Sequence, residues 1–170
     1  MIKLINGRGQ LGSKLVFLEE VKKDTEIFIY HTWNIDDKSE KTQQEEYHKF
    51  IKFVDTHKNS KIIFISTLSD KTNFYTFYKL KSENYLLSKN CDGIIIRLPT
   101  IIGKGIFEKF RDGSAMPYGY FSLCTMDRAV NFIETCIDTD RSDQIFELIP
   151  EQISAEVVYE LVNFGKHNVY

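Results

Sequence analysis

The sequence predicts an α/β protein built on an open, doubly wound parallel sheet, and three observations carry that prediction. Short β-branched runs alternate along the chain with segments of helical periodicity. Two of the runs, "KIIFIS" and "GIIIRL", are apolar without alternation, as strands buried on both faces are. The first strand ends in a glycine cluster that leads directly into a helix-compatible run, "LINGRGQLGSKLV".

Taken in order, "IKLIN" is a short strand, and "QLGSKLVFLEEV" places Leu11, Leu15 and Leu18 at helical spacing. "EIFIYHTW" is the second strand, ending in His31 and the single tryptophan, Trp33. A polar stretch then leads to a helix with Tyr47, Phe50, Ile51 and Val54 on one face. "KIIFISTLS" is the third strand, "YKLKSENYLLSKN" a helix and "GIIIRLPTII" a fourth strand. Past Gly105 the pattern loosens into a Gly/Pro/aromatic loop, "DGSAMPYGYFS". "DRAVNFIETCI" is a helix with Asp127 as its expected cap, and "QIFELI" is a short strand. "SAEVVYELV" is a helix capped by Ser154, with Val157, Val158, Leu161 and Val162 turned inward. No repeat or linker interrupts the chain, so a single domain over residues 1–170 is expected, with 105–125 as a reduced loop region.

Bulk properties narrow the function. The chain has 170 residues, 42% hydrophobic and 14% aromatic, enough for one sizeable core. A formal charge of -2 with scattered lysines gives no basic surface for a nucleic-acid backbone. Cys91, Cys124 and Cys136 are odd in number, sit in apolar surroundings and lack the paired spacing of a zinc site, so they read as reduced core thiols. No apolar run reaches the roughly 20 residues of a membrane span, and no signal-peptide pattern opens the chain. A cytoplasmic protein, bound to neither membrane nor nucleic acid, is the expectation.

In a doubly wound sheet ligands bind beyond the carboxyl ends of the strands, and that edge collects the candidate residues. Gly7, Gly9 and Gly12 let the backbone turn, approach a pyrophosphate and pack helix on strand; the bland alternative is an ordinary glycine-rich turn. Arg8 meets a phosphate or is simply solvated. Tyr75 and Lys79 stand one helical turn apart, where an ammonium can stabilise a phenolate and bring a pKa near 10 toward the working range. Tyr85 and Lys89 repeat the spacing, but mid-helix, where packing is the expected role. Ser66, Thr67 and Ser69 end the third strand, and one of these hydroxyls can bond a substrate carbonyl beside Tyr75. His31 lies at the same edge, adjacent to a cofactor at most.

Taken together, "NGRGQLG", "IIFISTLS", "YTFYKLKSE" and "IIIRLPTIIGKG" resemble the extended short-chain dehydrogenase/reductase superfamily, the sugar-nucleotide epimerases, dehydratases and 4-reductases. "GQLG" is similar to the dTDP-4-dehydrorhamnose reductase branch, and "FSLCTMDRAVNFIETCI" and "IFELIPEQISAEVVYELV" resemble the family's carboxy-terminal pattern. The resemblance implies a Rossmann-like domain that binds NADP or NAD through Gly7, Arg8, Gly9, Gln10, Leu11 and Gly12, with His31 alongside. It implies Tyr75 as the acid–base residue, Lys79 on the nicotinamide ribose and Ser66 or Thr67 on the substrate. The chain is short for that family. The strand resembling the family's fourth, "EIFIYHTW", follows the first helix directly, Asn6 replaces the first glycine of the usual spacing, and no acidic ribose clamp is visible, which tips the cofactor toward NADP.

The leading expectation is therefore an NAD(P)-dependent oxidoreductase or epimerase/reductase acting on a nucleotide-linked sugar, with Tyr75 handling the proton. The rivals are a non-catalytic Rossmann-like nucleotide-binding or assembly protein and a simple mononucleotide binder. A homodimer is expected on "TQQEEYHKFIKFVDTH" and "YKLKSENYLLSK", where Phe53, Tyr78 and Tyr85 look to need a partner.

Overall fold

The computed structural model describes residues 1–5, 9–89, 92–102, 106–139 and 144–164; Asn6, Gly7, Arg8, Cys91 and Gly105 lie outside the described residues. Five parallel strands form the main sheet: β1 (Ile2–Ile5), β2 (Ile27–Tyr30), β3 (Lys61–Thr67), β4 (Gly93–Leu98) and, later in the chain, β7 (Gln144–Glu147). The expected fourth strand is split, because Pro99, without an N–H to donate, separates β4 from β5 (Thr100–Ile101). The α/β class and the parallel sheet are as the sequence predicts.

Side chains alternate across the sheet and meet a helical layer on each face. Ile27, Ile29, Ile63, Ile65, Ile94 and Ile96 pack on one side against α1 (Gln10–Leu15), the 3-10 segment Val16–Glu20 that continues it, and α5 (Met126–Ile137). On the other side Tyr30, Ile62, Phe64 and Ile95 meet α2 (Glu40–Thr56) and α3 (Phe74–Leu87). The sheet is thus covered on both faces, as in a doubly wound fold, yet its order is β1-β2-β3-β4-β7 with no reversal. Every connection steps the same way across the sheet. Those through α1 and through α2 lie on opposite faces and consequently have opposite hands, so one of them departs from the strong right-handed preference of such crossovers.

Beyond β5 the structure differs from the expected loop. Residues 106–124 supply α4 (Ile106–Asp112) and β6 (Tyr120–Cys124), and β6 pairs in parallel with β5 and antiparallel with β8 (Glu151–Ser154). This small sheet and α6 (Ala155–Asn163) enclose Phe110, Leu123, Ala155 and Val158. The strand signal in "YFSLC" is the alternation of Phe121 and Leu123, short and masked by the Pro and Gly before it. Two local expectations are corrected. Thr125, not Asp127, caps α5, accepting from the Arg128 N–H at 3.2 Å, with Asp127 in the first turn. Ser154 does cap α6, but Val157 and Leu161 are 46% and 69% exposed, because the small sheet offers room only to the narrower stripe of Ala155, Val158, Tyr159 and Val162.

Cys124 and Cys136 are buried free thiols. Among the described residues no helix is long and apolar enough to cross a membrane. Phe53 finds its partners within the chain, edge-on to Phe28 with centroids 5.4 Å apart and stacked on His57 at 4.3 Å. Tyr78 is buried, and the Tyr85 hydroxyl donates to Asp55 at 2.8 Å, so none of the three aromatic residues calls for a second subunit.

Phe50 is fully buried, with its ring centroid 4.4 Å from Phe64 and 4.9 Å from Tyr30. Phe50→Ala should remove about 3–5 kcal/mol of stability. In urea denaturation the midpoint should fall while the slope stays unchanged; a midpoint like that of the unmutated chain would contradict this description of the core.

Candidate active site

The carboxyl ends of β1, β2 and β3 gather most of the candidate residues at one edge. Gly9 has φ +109°, a region reserved for glycine, and precedes α1 as its cap residue. Gly12 is buried and Leu11 packs into the core, so Leu11 can offer a ligand only its backbone. Gln10 opens the helix. His31 follows β2 directly. Its imidazole pKa is held below the ordinary value by burial and by the nearby Lys79 cation, and among the described residues Nε2 has no hydrogen-bond partner.

At the end of β3 the hydroxyls part company. Ser66 is buried, and its Oγ has no partner among the described residues. Thr67 accepts from the Ser69 N–H at 3.1 Å and meets the Tyr75 phenol. Asn73 caps α3 by accepting from the Thr76 N–H at 3.0 Å, which sets Tyr75 in the first turn. Burial raises the Tyr75 pKa above the ordinary phenol value, with the Thr67 hydrogen bond acting the other way.

Lys79, one turn further, points at the strand. The β2–β3 pairing ends at Tyr30 and Phe64, and the next carbonyl of β3, that of Ile65, accepts from the Lys79 ammonium at 2.8 Å. The ammonium lies 4.4 Å from the centroid of the Trp33 ring and 4.6 Å from that of Phe64. Burial drives the Lys79 pKa down to about 7, with the carboxylates of Glu83 and Glu46 acting in the opposite direction. Glu83, itself buried, is gripped by Arg97, whose Nη2 is 2.6 Å from Oε2 and whose Nε donates to Oε1 at 3.1 Å.

Sequence reasoning missed the residues that organise this edge. Gln43 is fully buried and saturated: Oε1 accepts from Trp33 Nε1 at 2.7 Å, while Nε2 donates to the carbonyls of Asn34 at 2.8 Å and Asp37 at 2.6 Å. The signal was present, because extending the Phe50–Val54 stripe toward the helix start reaches Glu46 and Gln43, polar residues on a buried face. Trp33 stands out in the sequence only as the single indole near the expected site. Of the pair set aside as packing, Tyr85 is half-buried and Lys89 lies 3.1 Å from Asp55.

Comparison with solved structures identifies the fold. The Bordetella bronchiseptica enzyme WbmG in complex with NAD superposes with a TM-score of 0.71 at 12% identity, covering 98% of this chain and 78% of that one. UDP-glucose 4-epimerase from Thermotoga maritima, with UDP-glucose, gives 0.71 at 11% identity over 99% of this chain and 84% of that one. The dTDP-glucose 4,6-dehydratase of Bacillus anthracis, in complex with NAD, gives 0.67 at 11% over 96% and 80%. No family model and no curated protein sequence matches. The chain shares the fold of these enzymes, in a shortened form.

The buried lysine makes stability depend on pH. Lys79 titrates near 7 in the folded chain against an ordinary 10.5, so between those values the unfolded chain holds a proton the folded chain has lost. Its contribution therefore improves as pH rises through that window and is level below it. Relative to Lys79→Met, the unmutated chain should gain stability between pH 7 and 10.5. Denaturant titrations across that range decide it, and a difference that does not vary with pH would refute the assignment.

Proposed function

We propose that the chain binds a nicotinamide dinucleotide at the carboxyl edge and acts on a nucleotide-linked sugar as an oxidoreductase or epimerase/reductase. The observation that carries this reading is the assembly of Tyr75 and Lys79 on α3 above Ser66 and Thr67 at the end of β3, in a fold shared with enzymes solved with NAD and with UDP-glucose. Ser66 Oγ and His31 Nε2, buried and without a partner among the described residues, fit a ligand rich in hydroxyls and amides at this edge. When bound, the nicotinamide supplies hydride acceptance and return. Ser66 or Thr67 would then bond the reacting oxygen. Tyr75, which keeps its proton at neutral pH, would be the acid where hydride is delivered to a carbonyl; where hydride is taken from an alcohol it would be the base, and for that it needs the Lys79 ammonium brought toward it. Gly9, with Gly7, Arg8, Gln10, Leu11 and Gly12, would carry the pyrophosphate, and Arg8 would favour NADP by meeting its 2′-phosphate. The buried free thiols support a cytoplasmic setting.

A second reading has its own observation. Lys79 is already committed to the Ile65 carbonyl and two aromatic rings, as it would be in a protein that kept the fold for nucleotide binding or assembly and lost the reaction. Two substitutions separate the readings. Tyr75→Phe should leave cofactor affinity nearly intact and remove turnover on a nucleotide-linked sugar, whereas Gly9→Val should abolish binding of NAD and NADP alike. Turnover of Tyr75→Phe at the full rate would end the enzyme reading, and NAD binding unaffected by Gly9→Val would place the nucleotide elsewhere.

We also propose a homodimer, now seated on α3 through Phe74, Phe77 and Leu80. These residues are 44%, 56% and 40% exposed and recur every three positions along the helix. Sedimentation equilibrium at tens of micromolar (order of magnitude) should give a dimer that Phe77→Glu converts to monomer. A monomeric unmutated chain would refute it.

A further inference from the structure

We propose that Trp33 is a gate over Lys79, locked shut by Gln43, and that a ribose reaches the ammonium only when the indole swings aside. The identity of the ligand rests on the dinucleotide reading above; the gate rests on contacts within the chain. Among the described residues the ammonium has one oxygen acceptor, the Ile65 carbonyl at 2.8 Å, and its remaining surface faces the rings of Trp33 and Phe64 at 4.4 and 4.6 Å. Aromatic faces hold a desolvated cation with a strength comparable to that of charge-assisted hydrogen bonds, so a diol could take the place of the indole at little net cost.

The element that carries the indole is suited to move. Trp33 lies outside β2, in the segment 31–39 that belongs to no strand or helix. The Gln43 side chain makes three of the contacts that hold that segment to the start of α2, accepting from the indole N–H and donating to the Asn34 and Asp37 carbonyls. Among the described residues it alone bonds the indole N–H; Thr42 separately bonds Asp37 and Ser39 nearer the helix. The segment has its own internal form, since Asn34 Oδ1 accepts from the N–H groups of Asp36 and Asp37 at 3.1 and 3.0 Å. Release by Gln43 would therefore free the indole and the residues next to it, while Thr42 keeps the Asp37 end of the turn on α2 as the hinge and the fold stays intact. The closed population, set by Gln43, would weaken the observed affinity for any ligand that needs the open form.

The test reads Lys79 directly. The unmutated chain, Trp33→Ala and Gln43→Met are pulsed with a water-soluble acetylating ester, and Lys79 acetylation is quantified by mass spectrometry, with thermal melting as the check on folding. Acetylation should be about tenfold faster in Trp33→Ala and intermediate in Gln43→Met. An unchanged rate in folded variants overturns the gate whatever NAD does. Should Trp33→Ala fail to fold, Gln43→Met decides alone: acrylamide quenching of its single tryptophan should exceed that of the unmutated chain, and equal quenching overturns the proposal. Calorimetric titration with NAD separates the two claims. Trp33→Ala should bind about tenfold more tightly. Faster acetylation with no NAD binding by any of the three proteins supports the gate and overturns the dinucleotide reading. Faster acetylation with equal NAD affinity overturns the coupling of the gate to the ligand.

Discussion

A lysine ammonium buried at the end of a parallel sheet constrains the whole carboxyl edge. Removing such an ion from water carries a penalty of several kcal/mol, which persists unless hydrogen bonds, rings or opposite charges answer it. The responses to Lys79 come from four parts of the fold: a carbonyl and the Phe64 ring of β3, the indole that follows β2, Glu46 of α2 and Glu83 of α3. Glu83 in turn holds Arg97 of β4, which reaches Glu147 of β7 at 2.7 Å. One charge thereby links three strands, the segment after β2 and two helices, so the edge that would bind a ligand is itself cross-tied.

The sheet imposes the second constraint. Both of its faces are apolar, so both require helices, yet the strands lie in simple chain order. Covering two faces while always stepping in one direction forces connections of opposite hand. The sequence hinted at the cause in the direct passage from the first helix to "EIFIYHTW". Where the first helix leads to a strand on the same side of β1 as every later strand, α1 can still cover its own face, but the usual handedness is lost there or in the middle of the sheet.

How far the sequence could be read depended on the length of the signal. Long apolar runs, the glycine cluster and the Phe50–Val54 stripe each mark an element through many residues at once, and those elements stand where expected. β6 and α4 are short and follow Gly and Pro, so local chemistry obscured them; the cap of α5 slipped by two residues because Thr125 and Asp127 are both competent caps. At the site, Tyr75, Lys79, Ser66, Thr67 and His31 share an edge, as their positions at strand ends and in a first turn implied. Spacing along a helix could not disclose where the Lys79 ammonium points. That follows from the end of the β2–β3 ladder, which leaves the Ile65 carbonyl open, and from an indole 46 positions earlier in the chain.

Hydrogen-bond satisfaction separates scaffold from site within this edge. Gln43 makes three bonds, and Glu83 is held by the Arg97 fork; such groups have nothing further to gain from a ligand. Ser66 Oγ and His31 Nε2 lack partners among the described residues, and each unmet polar group costs about 1–3 kcal/mol that a suitable ligand atom can restore. Both flank Lys79, Ser66 from the strand that supplies its carbonyl and His31 from the segment that carries its indole. The unsatisfied groups therefore lie near a buried lysine whose charge burial still penalises. In the proposed gate, a ligand that goes on to Lys79 displaces the Trp33 ring that covers it, which couples binding to the freedom of that one side chain.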